Sequence, residues 1–228
     1  MPRADRVTRR VPVRAAGQRI VNHWLAPAAP GDFERARLGV PMLLIVSAAS
    51  LVIGTLFMPD SYSWRTHSIS ESAAQGLAHA WIARLGFLCF GLAVLWLALA
   101  RMREWARAAF GLHIAFALLM ICAAAFSHRP WQPELAFDSR EDFLHSVAAT
   151  GMGFAFAFGV LARLLQRAAD APWRRALDAF ALVSATAMPM LAAVSSMGGA
   201  IQRIMFLIAY LWYAVEVADL RKRVTLDV

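Results

Sequence analysis

Six apolar runs, each close to the about 20 residues a helix needs to cross a bilayer, fill the chain from Leu38 to Asp219 with only short polar breaks between them. Backbone that crosses hydrocarbon must satisfy its own hydrogen bonds, and for runs of this length the helix does so. The spacing therefore predicts an all-α fold, a polytopic membrane protein built as a bundle of six transmembrane helices over 38–58, 81–100, 108–126, 143–165, 176–194 and 201–219. Hydrophobic residues make up 60% of the chain and the mean hydropathy is +0.53. A soluble domain runs at about 45–50%.

Three regions follow: a basic, mostly disordered N-terminal tail over 1–37, a transmembrane domain over 38–220 and a short C-terminal tail over 221–228. The N-terminal tail is too polar to build a core, although Gln18 to Leu25 is amphipathic enough to lie on a membrane surface. The net charge is +8, but the arginines flank the apolar runs instead of covering one soluble face. Nucleic acid is thus not an expected partner, whereas the lipid bilayer and its anionic head groups are.

Of the 23 Lys and Arg residues, eighteen fall in the two tails and the 101–107 and 163–175 segments, leaving Arg65, Arg84, Arg129, Arg140 and Arg203 on the other side. Cytoplasmic loops hold the excess of Lys and Arg, so both termini are expected in the cytoplasm of a cell whose inner membrane the chain spans. Trp64, Trp81 and Trp131 then belong to the outer aromatic belt, and Trp105 and Trp173 to the inner one.

With that topology, polar residues converge on the extracytoplasmic face. Ser68-x-x-Glu71 is a capping-box pattern. If the helix continues, Ser68, Glu71, Ser72, Gln75 and His79 share one stripe. Asp138-x-x-Glu141 caps the next such segment, with Asp138, Asp142 and His145 on one face. His79, His145, Glu71 and Asp142 are the candidates for acid–base chemistry; His79, His145, Asp138 and Asp142 are the candidate metal ligands. Ser68, Ser70, Gln202 and Arg203 are the candidate ligand-binding residues. Arg203 has no acid beside it in sequence, so it must reach the interface or find Glu71, Asp142 or a lipid head group. His79 and His145 are expected to face each other across a shared pocket.

Elsewhere, His113 reads as a packing residue. Gly151, Ala155 and Gly159 read as a small-residue ladder that admits a neighbouring helix. Pro189 suggests a kink, and Glu216 with Asp219 an ion-paired surface beside Arg221, Lys222 and Arg223. Cys89 and Cys122 read as free thiols. A two-haem electron carrier needs a histidine pair near each face, and the inner half offers only His113. Haem is not expected, and the sequence names no other cofactor.

The Ser68-Ile69-Ser70-Glu71 segment, the acidic helix start leading to His145 and the Gly199 to Arg203 stretch together resemble the domain-of-unknown-function-998 family of bacterial and archaeal membrane proteins. The resemblance covers 38–220 and implies a six-helix fold without an assigned activity. The basic N-terminal tail and the His128-Arg129-Pro130-Trp131 loop depart from it. Function therefore rests on the polar site. It is expected to bind, sense or transport a small polar ligand or lipid head group; the alternative is a membrane-embedded hydrolase, metal-dependent or not, acting on lipid or a lipid-linked substrate.

Overall fold

The computed structural model describes residues 30–168 and 171–224; the N-terminal tail, with its amphipathic stretch, lies outside them. The described residues form seven helices and no strand: α1 Pro30–Leu56, α2 Ile69–Ser72, α3 Ala80–Ala100, α4 Arg107–Ala125, α5 Ser139–Gln166, α6 Pro172–Val194 and α7 Gly198–Val224. Every one except α2 is long and apolar enough to cross a membrane. The chain is an integral membrane protein.

Three helices begin four or more residues earlier than their apolar runs. The first turn of α5 is Ser139-Arg140-Glu141-Asp142, held by the Asp138 side chain, which accepts from the backbone N–H groups of Arg140 and Glu141 at 2.7 and 3.4 Å. Helix α6 starts on Pro172, whose missing N–H costs nothing in a first turn. Helix α1 starts at Pro30 and continues through Pro41, as α6 continues through Pro189 to Val194.

The six long helices pack as a ring in chain order, α1 on α3, α3 on α4, α4 on α5, α5 on α6 and α6 on α7, and α7 closes the ring against α1. We call the end where the chain enters α1 and leaves α7 the base, and the opposite end the crown. In lipid the hydrophobic effect does not draw helices together, so close packing and polar contacts must. Rings of Phe90, Phe116, Phe156, Trp212 and Tyr213 fill the middle, with Phe116 and Tyr213 at 5.5 Å and Trp212 edge-on to Tyr213 at 5.0 Å. The hydroxyl of Ser47 lies 2.5 Å from both the Gly86 carbonyl and the Tyr210 hydroxyl, tying α1 to α3 and α7. The α5 ladder packs as expected: Gly151 faces Leu119, and Gly159 faces the His113 ring so closely that a Cβ would sit 2.9 Å from it. His113 is itself buried, its Nδ1 at 2.9 Å from the Tyr213 hydroxyl, and stacked on Trp212. Leu56, Leu165 and Val194 are among the large apolar side chains left on the outer surface. Cys89 and Cys122 are free.

Candidate functional site

The crown is built from the loops between α1 and α3, between α4 and α5, and between α6 and α7. Its first loop is nucleated by α2, where Ser68 and Glu71 complete the expected capping box: Glu71 N–H donates to Ser68 Oγ at 3.1 Å and Ser68 N–H donates to Glu71 Oε2 at 2.5 Å. The helix stops at Ser72, so the stripe expected to run on to Gln75 and His79 does not form.

Helix α7 locks this loop from the side. Gln202 Oε1 accepts from Ile69 N–H at 2.6 Å, and Ala200 N–H donates to the Arg65 carbonyl at 3.0 Å. Arg203 Nη1 donates to the carbonyls of Trp64, His67 and Gly199 at 2.8, 2.9 and 3.0 Å, while Nη2 donates to the Tyr62 hydroxyl at 2.5 Å. The loop approaches α7 so closely that a Cβ on Gly199 would collide with the carbonyl oxygens of His67 and Trp64. Above this clasp the His67 ring stacks on Trp131 at 5.0 Å, with Tyr62 at 5.3 Å from both. Burial pushes the Tyr62 hydroxyl above its ordinary range against the pull of the Arg203 guanidinium. The phenol therefore stays neutral beside Arg203.

The second half of the crown is clasped by Gln75. Its Nε2 donates to the carbonyls of Ser127 and Asp138 at 2.9 and 3.0 Å, and its Oε1 accepts from Asp138 N–H at 2.7 Å. The acids of α5 hold the same loop: Glu141 accepts from Ser127 N–H at 2.7 Å, and Asp142 Oδ1 accepts from Arg129 N–H at 2.8 Å and lies 2.8 Å from His128 Nδ1. Glu141 is thus spent on the loop and does not complete a capping box with Asp138. One turn on, buried His145 presents Nδ1 to the carbonyls of Phe126 and Ala123 at 2.8 and 3.2 Å and Nε2 to Ser70 Oγ at 3.0 Å.

Sequence-predicted residues are thus gathered, but in different groupings. Ser70 meets His145, Gln202 and Arg203 meet the α2 loop, and Asp142 meets His128. His79 is exposed at the start of α3 with its ring 5.3 Å from Phe57, whereas His145 is buried beside His128 at 5.4 Å. The two imidazoles have separate surroundings, which corrects the shared pocket expected of them. Likewise, Glu71 is engaged by Ser68 and Asp142 by His128 and Arg129, and among the described residues no carboxylate lies within ion-pair distance of Arg203. Among those residues no group of three or more His, Cys, Asp or Glu is gathered to hold a metal ion, so His79, His145, Asp138 and Asp142 do not form one.

The family described as "Protein of unknown function (DUF998)" matches residues 38–218, from the start of the first apolar run almost to the end of the last. The chain belongs to this family. No curated protein and no solved structure matches it. The DUF998 match spans the crown residues and, Asp219 apart, a second polar centre at the base.

That second centre is the largest departure from the sequence reading. Glu216 is not surface: it is fully buried, contacts Arg167, and lies 3.4 Å from Arg163 and 3.7 Å from Arg174. Asp178, also fully buried, pairs with Arg167 and accepts from Trp212 Nε1 at 2.8 Å. Arg174 pairs with Asp219 as well, and Arg101 donates to Glu104 at 2.5 Å and to the Glu216 carbonyl. Trp105, expected in the inner belt, is buried under the Arg163 guanidinium at 5.4 Å. The only sequence signal was that Arg163, Asp178 and Glu216 each lie within or against an apolar run, where a charge needs a partner.

Proposed function

We propose that the crown faces the extracytoplasmic side and binds an anionic phospholipid, with Arg203 recognising the head group and one acyl chain lying between α1 and α7. The observation that carries this reading is a lateral groove of about 300 Å³ lined by Leu51, Val52, Ile69, Phe206 and Leu207, with Arg203 as its charged residue. The Arg203 guanidinium donates to backbone carbonyls and the Tyr62 hydroxyl, and among the described residues no carboxylate lies within ion-pair distance of it. At a membrane surface the remaining abundant counter-charge is the lipid phosphate. Groove and charge together match an amphiphile better than a small polar solute.

Lipids retained by the purified protein test this. In nanodiscs of mixed phosphatidylglycerol and phosphatidylcholine, the wild type should retain the anionic lipid preferentially. Arg203→Gln should lower that preference by about ten-fold or more, since a hydrogen bond to a charged group is worth roughly 1.5–3 kcal/mol. Because Arg203 also clasps the crown, Val52→Trp provides the second arm: it fills the groove from an exposed position away from the clasp and should displace the same lipid. Equal retention of neutral and anionic lipid by the wild type would overturn the reading.

The orientation rests on the asymmetry of Lys and Arg between base and crown. Reporter fusions after residues 60, 130 and 198 should be active only for an exported reporter, and a fusion after residue 170 only for a cytoplasmic one. An exported reporter active after residue 170 would invert the assignment.

A further inference from the structure

We propose that Ser70 and His145 are a nucleophile–base pair that transfers an acyl group from a lipid ester bound at the crown. The pairing deepens the lipid-binding reading above and rests on it for the substrate class, but its geometry stands by itself.

Three serines crowd α2 and its cap, and they are used differently. Ser68 Oγ accepts from Glu71 N–H, and Ser72 Oγ donates to the Ile69 carbonyl at 2.7 Å, both being local bonds that shape the turn. Ser70, half-buried, instead directs its hydroxyl across to α5, where His145 Nε2 lies at 3.0 Å. Hydrogen-bond contact between a hydroxyl and an imidazole is the first requirement of an activated serine.

The second requirement is that the imidazole be held in the tautomer that leaves Nε2 free to accept a proton. His145 Nδ1 faces two carbonyl oxygens, those of Phe126 at 2.8 Å and Ala123 at 3.2 Å. Both are acceptors, so the proton belongs on Nδ1. In the neutral ring Nε2 then carries the lone pair, and Ser70 Oγ–H donates to it. The carbonyl pair does the orienting that a carboxylate does in the Ser-His-Asp arrangement. The ring is fixed further by its place one turn after Asp142, which is anchored to His128 and Arg129.

The third requirement is an electrophile within reach. Ile69, the residue before Ser70, lines the groove assigned to the lipid chain, and for the transfer the ester of a lipid held there must cross from that wall to the Ser70 hydroxyl, which faces α5. In the step itself Ser70 Oγ bonds to the ester carbonyl carbon as its proton passes to His145 Nε2. The carbon–oxygen bond to the lipid alkoxide breaks, and that oxygen takes the proton from Nε2. Water, deprotonated by the same nitrogen, then attacks the acyl-serine, releasing a carboxylic acid and restoring the Ser70 hydroxyl with the proton held on Nε2.

A small, soluble fluorophosphonate probe tests the pair without requiring the groove. Incubated with the intact protein in nanodiscs, it should label Ser70, located by peptide mass spectrometry. The wild-type labelling rate should rise with pH along a single imidazole titration and then level off. Ser70→Ala should abolish labelling, and His145→Gln should slow it by about 100-fold or more, the usual contribution of a general base. The wild-type pH profile keeps the test meaningful should His145→Gln fail to fold. No label on Ser70, a label whose rate ignores pH, or equal rates in wild type and a folded His145→Gln would each overturn the pair. Preferential retention of anionic lipid by a wild type that shows no label would remove the chemistry and leave the lipid reading standing. A labelled Ser70 without preferential lipid retention would do the reverse.

Discussion

Replacing Glu216 with Gln is expected to cost the folded protein about 3–5 kcal/mol, the usual penalty for removing one partner of a buried ion pair. The change preserves shape and removes a single charge, but that charge answers Arg163, Arg167 and Arg174 from two other parts of the chain. Without it, Asp178 and Asp219 must hold Arg167 and Arg174, and Arg163 loses its ion pair. Denaturation in mixed micelles should show the loss directly. Adding Arg163→Gln removes the stranded charge, so the double variant should be less destabilised than the sum of the two single variants. A Glu216→Gln protein within about 0.5 kcal/mol of wild type would mean that the cluster does not bind the base together, since changes of that size are typical of an ordinary surface position.

The crown has a comparable point of failure in Gly199, where the obstacle is steric. A methyl group there meets two backbone carbonyl oxygens, those of His67 and Trp64, and neither can rotate away as a side chain tip would. Gly199→Ala must push the α2 loop off α7, stretching the bond from Ala200 to Arg65 and those from Arg203 to Trp64 and His67. Overpacking of this kind costs about 1–3 kcal/mol, and each weakened hydrogen bond adds about 1 kcal/mol. Gly111 provides the contrast: nothing lies within 4 Å of a Cβ there. Because it is inside α4, Gly111→Ala should stabilise by roughly 0.5–1 kcal/mol. Proteolysis of the 59–68 loop should accelerate in the first variant and stay unchanged in the second. Equal melting behaviour of the two would show that the loop yields freely.

The parts legible in the sequence were those fixed by neighbours in the chain. Hydropathy located all six spans, and local polar patterns located Ser68 with Glu71 and the Asp138 cap. Helix starts were placed too late where the first turn is polar, as at Ser139, because a hydropathy window treats Arg140, Glu141 and Asp142 as loop although they are helical. The site itself depends on contacts between residues far apart. Ser70 and His145 were both singled out, but their pairing depends on how α5 is rotated about its axis, which no single helix specifies. The same blindness hid Glu216: a charge near the end of an apolar run looks like a boundary until three arginines from elsewhere are seen around it.

The closed ring gives α7 a special place in the order of assembly. Of the described helices it is made last, and it completes both ends at once: Gln202 and Arg203 latch the crown, while Glu216 and Asp219 neutralise the base. A nascent chain that has inserted only through α6 holds Arg163, Arg167 and Arg174 with Asp178 as the one acid among the partners described for them. Such a species is cationic and unlatched. Of the described helices α7 is thus the keystone: it closes the ring against α1 and brings the acids that balance the arginines of the base.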